Sequence, residues 1–210
     1  MSVEITIETN MAWRSKEKSV QDDQTSLYSQ FEDLVLQALY SCIVRDAVKE
    51  YRYQRAEALQ KYNAIATFSH VALENYALLQ LWKLFDRQSS TMHVWYVAKH
   101  MPHPELTTWF DARVNDLKSD IKYLSAWRHN FVGHRSAVGH FAPNEFDHIF
   151  KNERGNEERV RQFLLDFLCE MKFHMYRTSR EEQSLIFKEI LIGYRRFAEG
   201  DRDEVMQKYN

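Results

Sequence analysis

Hydrophobic residues recur every three or four positions along most of this chain, which is the spacing of the buried face of an α-helix. The pattern predicts helices over about residues 29–53, 62–85, 92–98, 104–128, 156–176 and 179–200. The stretch at 62–85 is apolar on most sides, so we expect it in the centre of a bundle or at an oligomer interface. The chain has only 5 Gly and 3 Pro, too few for the turns of a β fold, so the predicted class is all-α.

Three polar positions predict where helices begin. Ser29 with Glu32, and Ser179 with Glu182, have the spacing of capping boxes, in which two side chains satisfy free backbone N–H groups. Asn156 is a preferred N-cap residue and stands before an apolar run. We therefore expect helix starts at these three places.

Residues 1–24 are polar and show no sustained period apart from the alternation of Val3, Ile5 and Ile7. That alternation predicts either a short edge strand or no fixed structure, and we expect a flexible N-terminal segment. The segment lacks the basic and apolar regions of a secretory leader, and no apolar run approaches the roughly 18 residues of a membrane span. We expect a cytoplasmic protein without a membrane partner.

The net charge of the chain excludes one class of function, binding to duplex DNA through a large positive surface. Lys plus Arg number 28 and Asp plus Glu 30, a formal net charge of -2, so no bulk positive field draws the protein onto duplex DNA. Any contact with nucleic acid must be local.

Cys42 and Cys169 lie in apolar helical patterns without metal-binding spacing, which predicts buried thiols in a reducing compartment.

One apolar stripe changes character at Arg128. Its earlier members are Leu106, Phe110, Val114, Leu117, Ile121 and Leu124. The next positions on the same face are Arg128, Phe131 and Arg135. A guanidinium in a core stripe is costly unless it meets an anion or opens onto a cleft, because it cannot give up its charge. Arg128 is therefore the starting point for a candidate site.

Arg128 and His134 together suit phosphoryl chemistry. Arginine binds phosphate and stabilises charge that develops at phosphorus, while histidine moves protons near neutral pH. On a regular helix, six residues at about 100° each separate the two by about 240°, so they do not share a face. Either a bend at Gly133 or the pairing of two copies across a dimer would bring them together.

Two other stretches of the sequence, the histidines at 93–103 and the aromatic and basic run at 50–55, do not require a functional site. His93, His100 and His103 lie close in sequence, but no carboxylate or thiolate stands at a regular spacing to complete a metal shell, so we expect no metal and no cofactor. The aromatic and basic run at 50–55 could stack on single-stranded nucleic acid. It is more typical of a solvated helix face, which is what we expect.

The motif Arg128-x5-His134, with polar His129 after the arginine, resembles the R-x(4–6)-H signature of the HEPN superfamily, helical proteins many of which are ribonucleases. The order of helices, with one ending in LFDR at residues 84–87 and a long one closing on the motif, looks like the AbiU-type abortive-infection branch. The likeness covers about 31–176.

The resemblance implies an up-and-down bundle over residues 25–178, with long antiparallel helices and a short crossing helix. Residues 179–210 would add a C-terminal helix to the same domain. It also implies a homodimer whose two motifs line a shared cleft, with RNA as the substrate. A role in abortive infection or toxin–antitoxin defence would add an antitoxin protein as a partner.

The activity implied is metal-independent RNA cleavage, in which a ribose 2′-hydroxyl attacks the neighbouring phosphorus. Arg128 would hold the phosphate, and His134 would act as general base or acid. The supporting or RNA-binding positions would be His129, Asn130 and Arg135. HEPN toxins that a partner nucleotidyltransferase modifies carry Tyr two residues after the motif histidine, whereas this chain has Ser136. Modification at that place is therefore not implied.

Two alternatives remain open from the residues alone. Arg128 could form a structural ion pair with Asp111, Asp116 or Asp120, while His134 caps a helix end. The protein would then be a structural bundle. A non-catalytic helical dimer that binds RNA or a protein is the second alternative.

Overall fold

The computed structural model describes residues 4–54, 63–87, 92–101, 103–128 and 153–207. Within these ranges every regular element is a helix, which confirms the all-α class. The helices are α1 (Glu4–Gln54), α2 (Asn63–Lys83), α3 (Val94–His100), α4 (Pro104–Asp116), α5 (Lys118–Trp127), α6 (Glu153–Tyr176) and α7 (Arg180–Gln207). No helix in the described ranges combines the length and the apolar character that crossing a membrane requires.

The first helix is longer than predicted. α1 begins at Glu4, so Ser29 lies inside it and the predicted start there is wrong. Ile5 and Ile7 are helical, so the alternative of an edge strand is wrong as well. No Gly or Pro interrupts α1, and nothing stops helical hydrogen bonding upstream of the Ser29 capping box. The flexibility of residues 1–24 stays a prediction.

The helices before the candidate site follow the predicted order. α3 begins after His93, whose Nδ1 accepts a hydrogen bond from the Tyr96 N–H at 3.1 Å. The sequence also offers Ser89 or Ser90 as the cap of this helix, and both lie outside the described residues. The single helix predicted from Pro104 is instead two, because the backbone turns at Leu117 (φ -96, ψ 5).

Two later boundaries also differ. α6 begins at Glu153, so Asn156 lies within the helix and does not cap it. Ser179 does cap α7, since its Oγ accepts a hydrogen bond from the Glu182 N–H at 3.4 Å. α7 continues past Gly200 to Gln207, beyond the predicted end.

The core forms where α1 packs against α2, α6 and α7, while α5 packs between α2 and α6. Phe31 of α1 and Phe167 of α6 are both fully buried, with ring centroids 5.7 Å apart. Cys42 and Cys169 are buried free thiols, as predicted. The apolar stripe through α4 and α5 is buried as well, so its end at Arg128 lies against the core.

The predicted apolar face of α7 is partly wrong. The spacing of the apolar residues predicts a buried face made of Leu185, Ile186, Ile190, Leu191, Tyr194 and Phe197. In the structure Phe187 is 1% exposed and faces the core, whereas Leu185 and Phe197 are 62% and 60% exposed. α7 carries more large apolar residues than one side of a helix can bury, so its packing on α1 and α6 selects which of them face inward.

Candidate functional site around Arg128

Arg128 is the one residue of the predicted site that lies in the described ranges. The positions outside them are His129, Asn130, Gly133, His134, Arg135 and Ser136. The structure therefore tests the position and surroundings of the arginine. Its pairing with the histidine, and the supporting roles, stay predictions.

Arg128 continues α5 by one residue. Its backbone is helical (φ -54, ψ -49), and its N–H donates to the carbonyl oxygens of Leu124 and Ser125. Leu124 is 1% exposed, so the arginine leaves the helix on the side that faces the core. The helix is intact from Lys118 to Arg128.

The guanidinium of Arg128 lies on an aromatic ring. Its Cζ is 4.1 Å from the ring centroid of Trp82, a partly buried residue in the last turn of α2. A cation over the face of tryptophan is stabilised by about 0.5–2 kcal/mol, depending on its exposure. Among the described residues, Arg128 makes no ion pair and no side-chain hydrogen bond. In this part of the chain, an aromatic contact holds the guanidinium and no carboxylate neutralises it.

The three aspartates that could have paired with Arg128 have other positions. Asp111 and Asp116 are exposed, and the Asp116 carbonyl accepts a hydrogen bond from Arg159 at 3.0 Å. Asp120 is 1% exposed and lies 3.2 Å from an Arg159 nitrogen. Burial raises the pKa of Asp120, and Arg159 offsets only part of that shift. The described residues thus give no support to a structural ion pair for Arg128.

Arg45 shows what a structural arginine looks like in this fold. It is 3% exposed on the apolar face of α1 and donates two hydrogen bonds to the Glu157 carboxylate, at 2.7 and 2.8 Å. It also donates to Asp46 at 2.7 and 2.9 Å and lies 3.5 Å from Glu74 of α2. Three acids from three helices therefore surround one buried guanidinium.

A second arginine completes this buried network. Arg161 of α6 donates to Asp46 at 3.0 Å and lies 2.7 Å from Glu157. Burial alone would raise the pKa of Asp46, but Arg45 and Arg161 outweigh that effect and lower it. The network joins α1, α2 and α6, and its acids and arginines neutralise one another, which is typical of a structural element.

A separate cluster surrounds His174. Its ring is 5% exposed and stacks on His103 with centroids 5.4 Å apart. Its nitrogens lie 3.7 Å from Glu170 and 3.9 Å from Glu105, and Arg180 binds Glu170 through two hydrogen bonds of 2.6 and 2.9 Å. Burial, followed by the neighbouring His103, lowers the pKa of His174. The cluster ties α4, α6 and the start of α7 together around a neutral imidazole.

The three histidines near α3 have different local roles. His93 caps α3, while Nδ1 of His100 lies 2.8 Å from the Tyr96 carbonyl oxygen. His103 stacks on His174 as described above. No group of three His, Cys, Asp or Glu side chains in the described ranges has the geometry to hold a metal ion.

A groove of about 470 Å³ lies between α4, α6 and α7. Its charged lining residues are Arg113, Arg180, Lys188, Asp166, Glu170 and Glu181. Because the positive and negative groups balance, the groove does not favour a phosphate. Burial raises the pKa of Cys169, which also lines the groove, to about 11, so at neutral pH it is a protonated thiol and a poor nucleophile.

Sequence reasoning missed both Trp82 and the Arg45 network. Arg45 follows Ala38 and Cys42 on an apolar face, which is the same signal that singled out Arg128. Trp82 gave no comparable signal, because it belongs to a helix with apolar residues on most sides.

Comparison of the chain with protein families, curated proteins and solved structures gives no match.

Proposed function

We propose that this protein is a metal-independent endoribonuclease of the HEPN type, acting in the cytoplasm in abortive infection or toxin–antitoxin defence. The observation that carries the proposal is the state of Arg128: a cation at the end of an intact helix, held on the ring of Trp82 at 4.1 Å. Among the described residues, no carboxylate neutralises it.

The contrast with Arg45 supports a binding role. Both arginines stand on apolar stripes, yet Arg45 is surrounded by acids while Arg128 contacts an aromatic face. An aromatic contact fixes the position of a guanidinium without using its charge, so its N–H donors can bind an anion bidentately. A phosphate of an RNA backbone is such an anion.

In the proposed reaction His134 accepts the proton of a ribose 2′-hydroxyl, and the 2′-oxygen attacks the adjacent phosphorus. The bond to the 5′-oxygen of the next nucleotide breaks, and that oxygen takes a proton from water as it leaves. The products are a 2′,3′-cyclic phosphate and a 5′-hydroxyl. Arg128 binds the non-bridging oxygens and stabilises the charge that builds on them. His129, Asn130 and Arg135 are proposed to orient this pair or to contact RNA.

The fold proposed with this function is an antiparallel HEPN-like bundle that forms a homodimer. If the chain stays helical through Gly133, one subunit cannot easily aim both groups at one phosphate, so a site shared between two subunits would take Arg128 from one chain and His134 from the other. Mixing Arg128→Ala protein with His134→Ala protein should then restore part of the activity, since each heterodimer holds one intact site. With subunit exchange verified, no recovery would place both groups in one chain.

The activity is tested with 5′-labelled RNA in the presence of EDTA. We expect cleavage that leaves 2′,3′-cyclic phosphate ends and that falls at least about 100-fold in Arg128→Ala and in His134→Ala. The matched control is Arg87→Ala, because the Arg87 Cζ lies 4.2 Å from the Trp95 ring centroid in the same kind of contact but outside the motif. This control should cleave at the parental rate.

Loss of cleavage in EDTA, or equal rates in the parent and both motif variants, would refute the proposed chemistry. A parent protein that binds RNA through Arg128 but never cuts it would instead support the second candidate, a non-catalytic RNA-binding dimer. The same contact with Trp82 allows that function, because phosphate binding does not need the histidine.

A further inference from the structure

α7 presents large apolar residues to solvent along its outer side. Leu185, Ile186, Ile192 and Phe197 are 62%, 42%, 43% and 60% exposed. Phe187 fills the core on the opposite side, so these four residues are not needed for packing α7 onto the bundle. Several large apolar residues exposed on one side of a helix are typical of an interaction surface.

Two glycines lie on the same outer face. A Cβ placed on Gly193 or on Gly200 would meet no atom within 4 Å, so nothing in the described chain requires glycine there. Glycine inside a helix costs about 1 kcal/mol relative to alanine. What glycine offers at an exposed helical position is room for another backbone to approach closely.

The centre of this face carries two charges of opposite sign. Glu189 and Arg196 are exposed and seven residues apart, so they lie on one line along the helix. Neither forms an ion pair with another described residue. The neighbouring Arg195, by contrast, is bound within the chain by Glu50 and Glu199.

We propose that α7 pairs with α7 of a second copy of this chain, antiparallel, about a twofold axis between Ile192 and Gly193. In that register Glu189 of each copy faces Arg196 of the other, which gives two intermolecular ion pairs from one symmetric contact. Other antiparallel registers do not bring these charges opposite each other, and a parallel pair does so only when it is staggered by seven residues, with one ion pair in place of two.

The same register fits the apolar residues to the glycines. Leu185 of each copy lies close to Gly200 of the other, so a large side chain meets a position without one, and the two Ile192 side chains pack on each other beside the twofold axis. The contact runs over residues 185–200, a length of about 22 Å at about 1.5 Å per residue. A single helix pair is a small interface, so we expect a dissociation constant of about micromolar strength.

This interface does not depend on the ribonuclease proposal, since α7 lies beyond residues 31–176, the part of the chain that resembles the HEPN superfamily. If the chain also pairs through its motif, the α7 contact joins two such dimers. Loss of the α7 contact should reduce the assembly to the motif dimer, or to a monomer if the chain does not pair through its motif.

The test is charge exchange, followed by sedimentation equilibrium of the full chain. Glu189→Arg and Arg196→Glu should each raise the dissociation constant at least about tenfold, because like charges then face each other twice. The double variant Glu189→Arg/Arg196→Glu should associate like the parent. Lys188→Glu is the control, since its side chain points about 100° away from that of Glu189, and it should have no effect.

A second variant separates association from folding. Gly193→Leu should raise the free energy of unfolding by about 1 kcal/mol, because leucine is the better helix former. It should nevertheless abolish association, because the new side chain occupies the space of the facing helix. The proposal would be overturned if the parent protein is monomeric at about 100 μM. It would also be overturned if Glu189→Arg and Arg196→Glu associate like the parent, or if the double variant does not regain the association of the parent.

Discussion

Two substitutions, Arg45→Met and Arg128→Met, test whether Arg128 has a structural role. The quantity compared is the free energy of unfolding that each variant loses. Methionine keeps most of the length and apolar surface of the side chain and removes only the charge and the donors. Both arginines stand on apolar stripes, so the two substitutions are matched in sequence context. The structure predicts very different losses in the free energy of unfolding.

Arg45→Met leaves buried acids without their main partner. Arg45 is 3% exposed and binds Glu157 at 2.7 and 2.8 Å, and removing one member of a buried ion pair costs about 3–5 kcal/mol. Arg161 still lies 2.7 Å from Glu157, so we expect the lower end, about 3 kcal/mol. Among the described residues, Arg128→Met loses only the contact with Trp82, which methionine partly replaces through its sulfur, so we expect less than about 1 kcal/mol.

The measurement is urea unfolding at pH 7, followed by circular dichroism, with similar m-values required for all three proteins. The predicted difference between the two variants is at least about 2 kcal/mol, well above the error of the extrapolation. Equal losses would refute the reasoning, because Arg128 would then have a structural partner of the same strength as Glu157. The proposed function would lose the observation that carries it.

Two further predictions concern buried groups that titrate. Asp120→Asn should raise the free energy of unfolding at pH 7 by about 1 kcal/mol, because Asp120 is 1% exposed and burial raises its pKa. The gain should shrink as the solution becomes acidic, because the raised pKa makes Asp120 neutral in the folded protein at a higher pH than in the unfolded chain. A gain that does not change with pH would contradict this cause. The pKa of His174 is lowered, so the unfolded chain binds a proton that the folded protein does not, and the parent should lose stability as the pH falls below about 6.5. Urea unfolding from pH 7.5 to 5 should show a smaller loss for His174→Gln, and parallel curves would rule out this histidine as the source.

Periodicity predicted the helical class and the buried stripes because it records which side of each helix meets the core. The boundaries were less predictable. Ser29 and Asn156 have the chemistry of N-caps, but a cap contributes only about 1 kcal/mol and cannot start a helix where the preceding residues continue one. Ser179 does act as a cap, because the backbone turns just before it, at Arg177 (φ 55).

The candidate site could be predicted from the sequence only in part. An arginine on an apolar stripe can be recognised from sequence, and both Arg45 and Arg128 satisfy that criterion. What distinguishes them is the partner supplied by another helix, Glu157 in one case and Trp82 in the other. Such contacts depend on how the helices pack, which local spacing does not encode. The exposed side of α7 was missed for the same reason, since its sequence offers apolar residues to both sides.

The network around Arg45 also has a consequence for the kinetics of folding. Arg45 and Glu157 are 112 positions apart in the chain, and their charges lose water only when α1 and α6 close on each other. Contacts of this kind are costly to form early, so we expect them to be absent from the transition state for folding. Removing them should then leave the rate of folding nearly unchanged and speed unfolding. The ion pairs between these distant helices would govern the lifetime of the native state far more than the time taken to reach it.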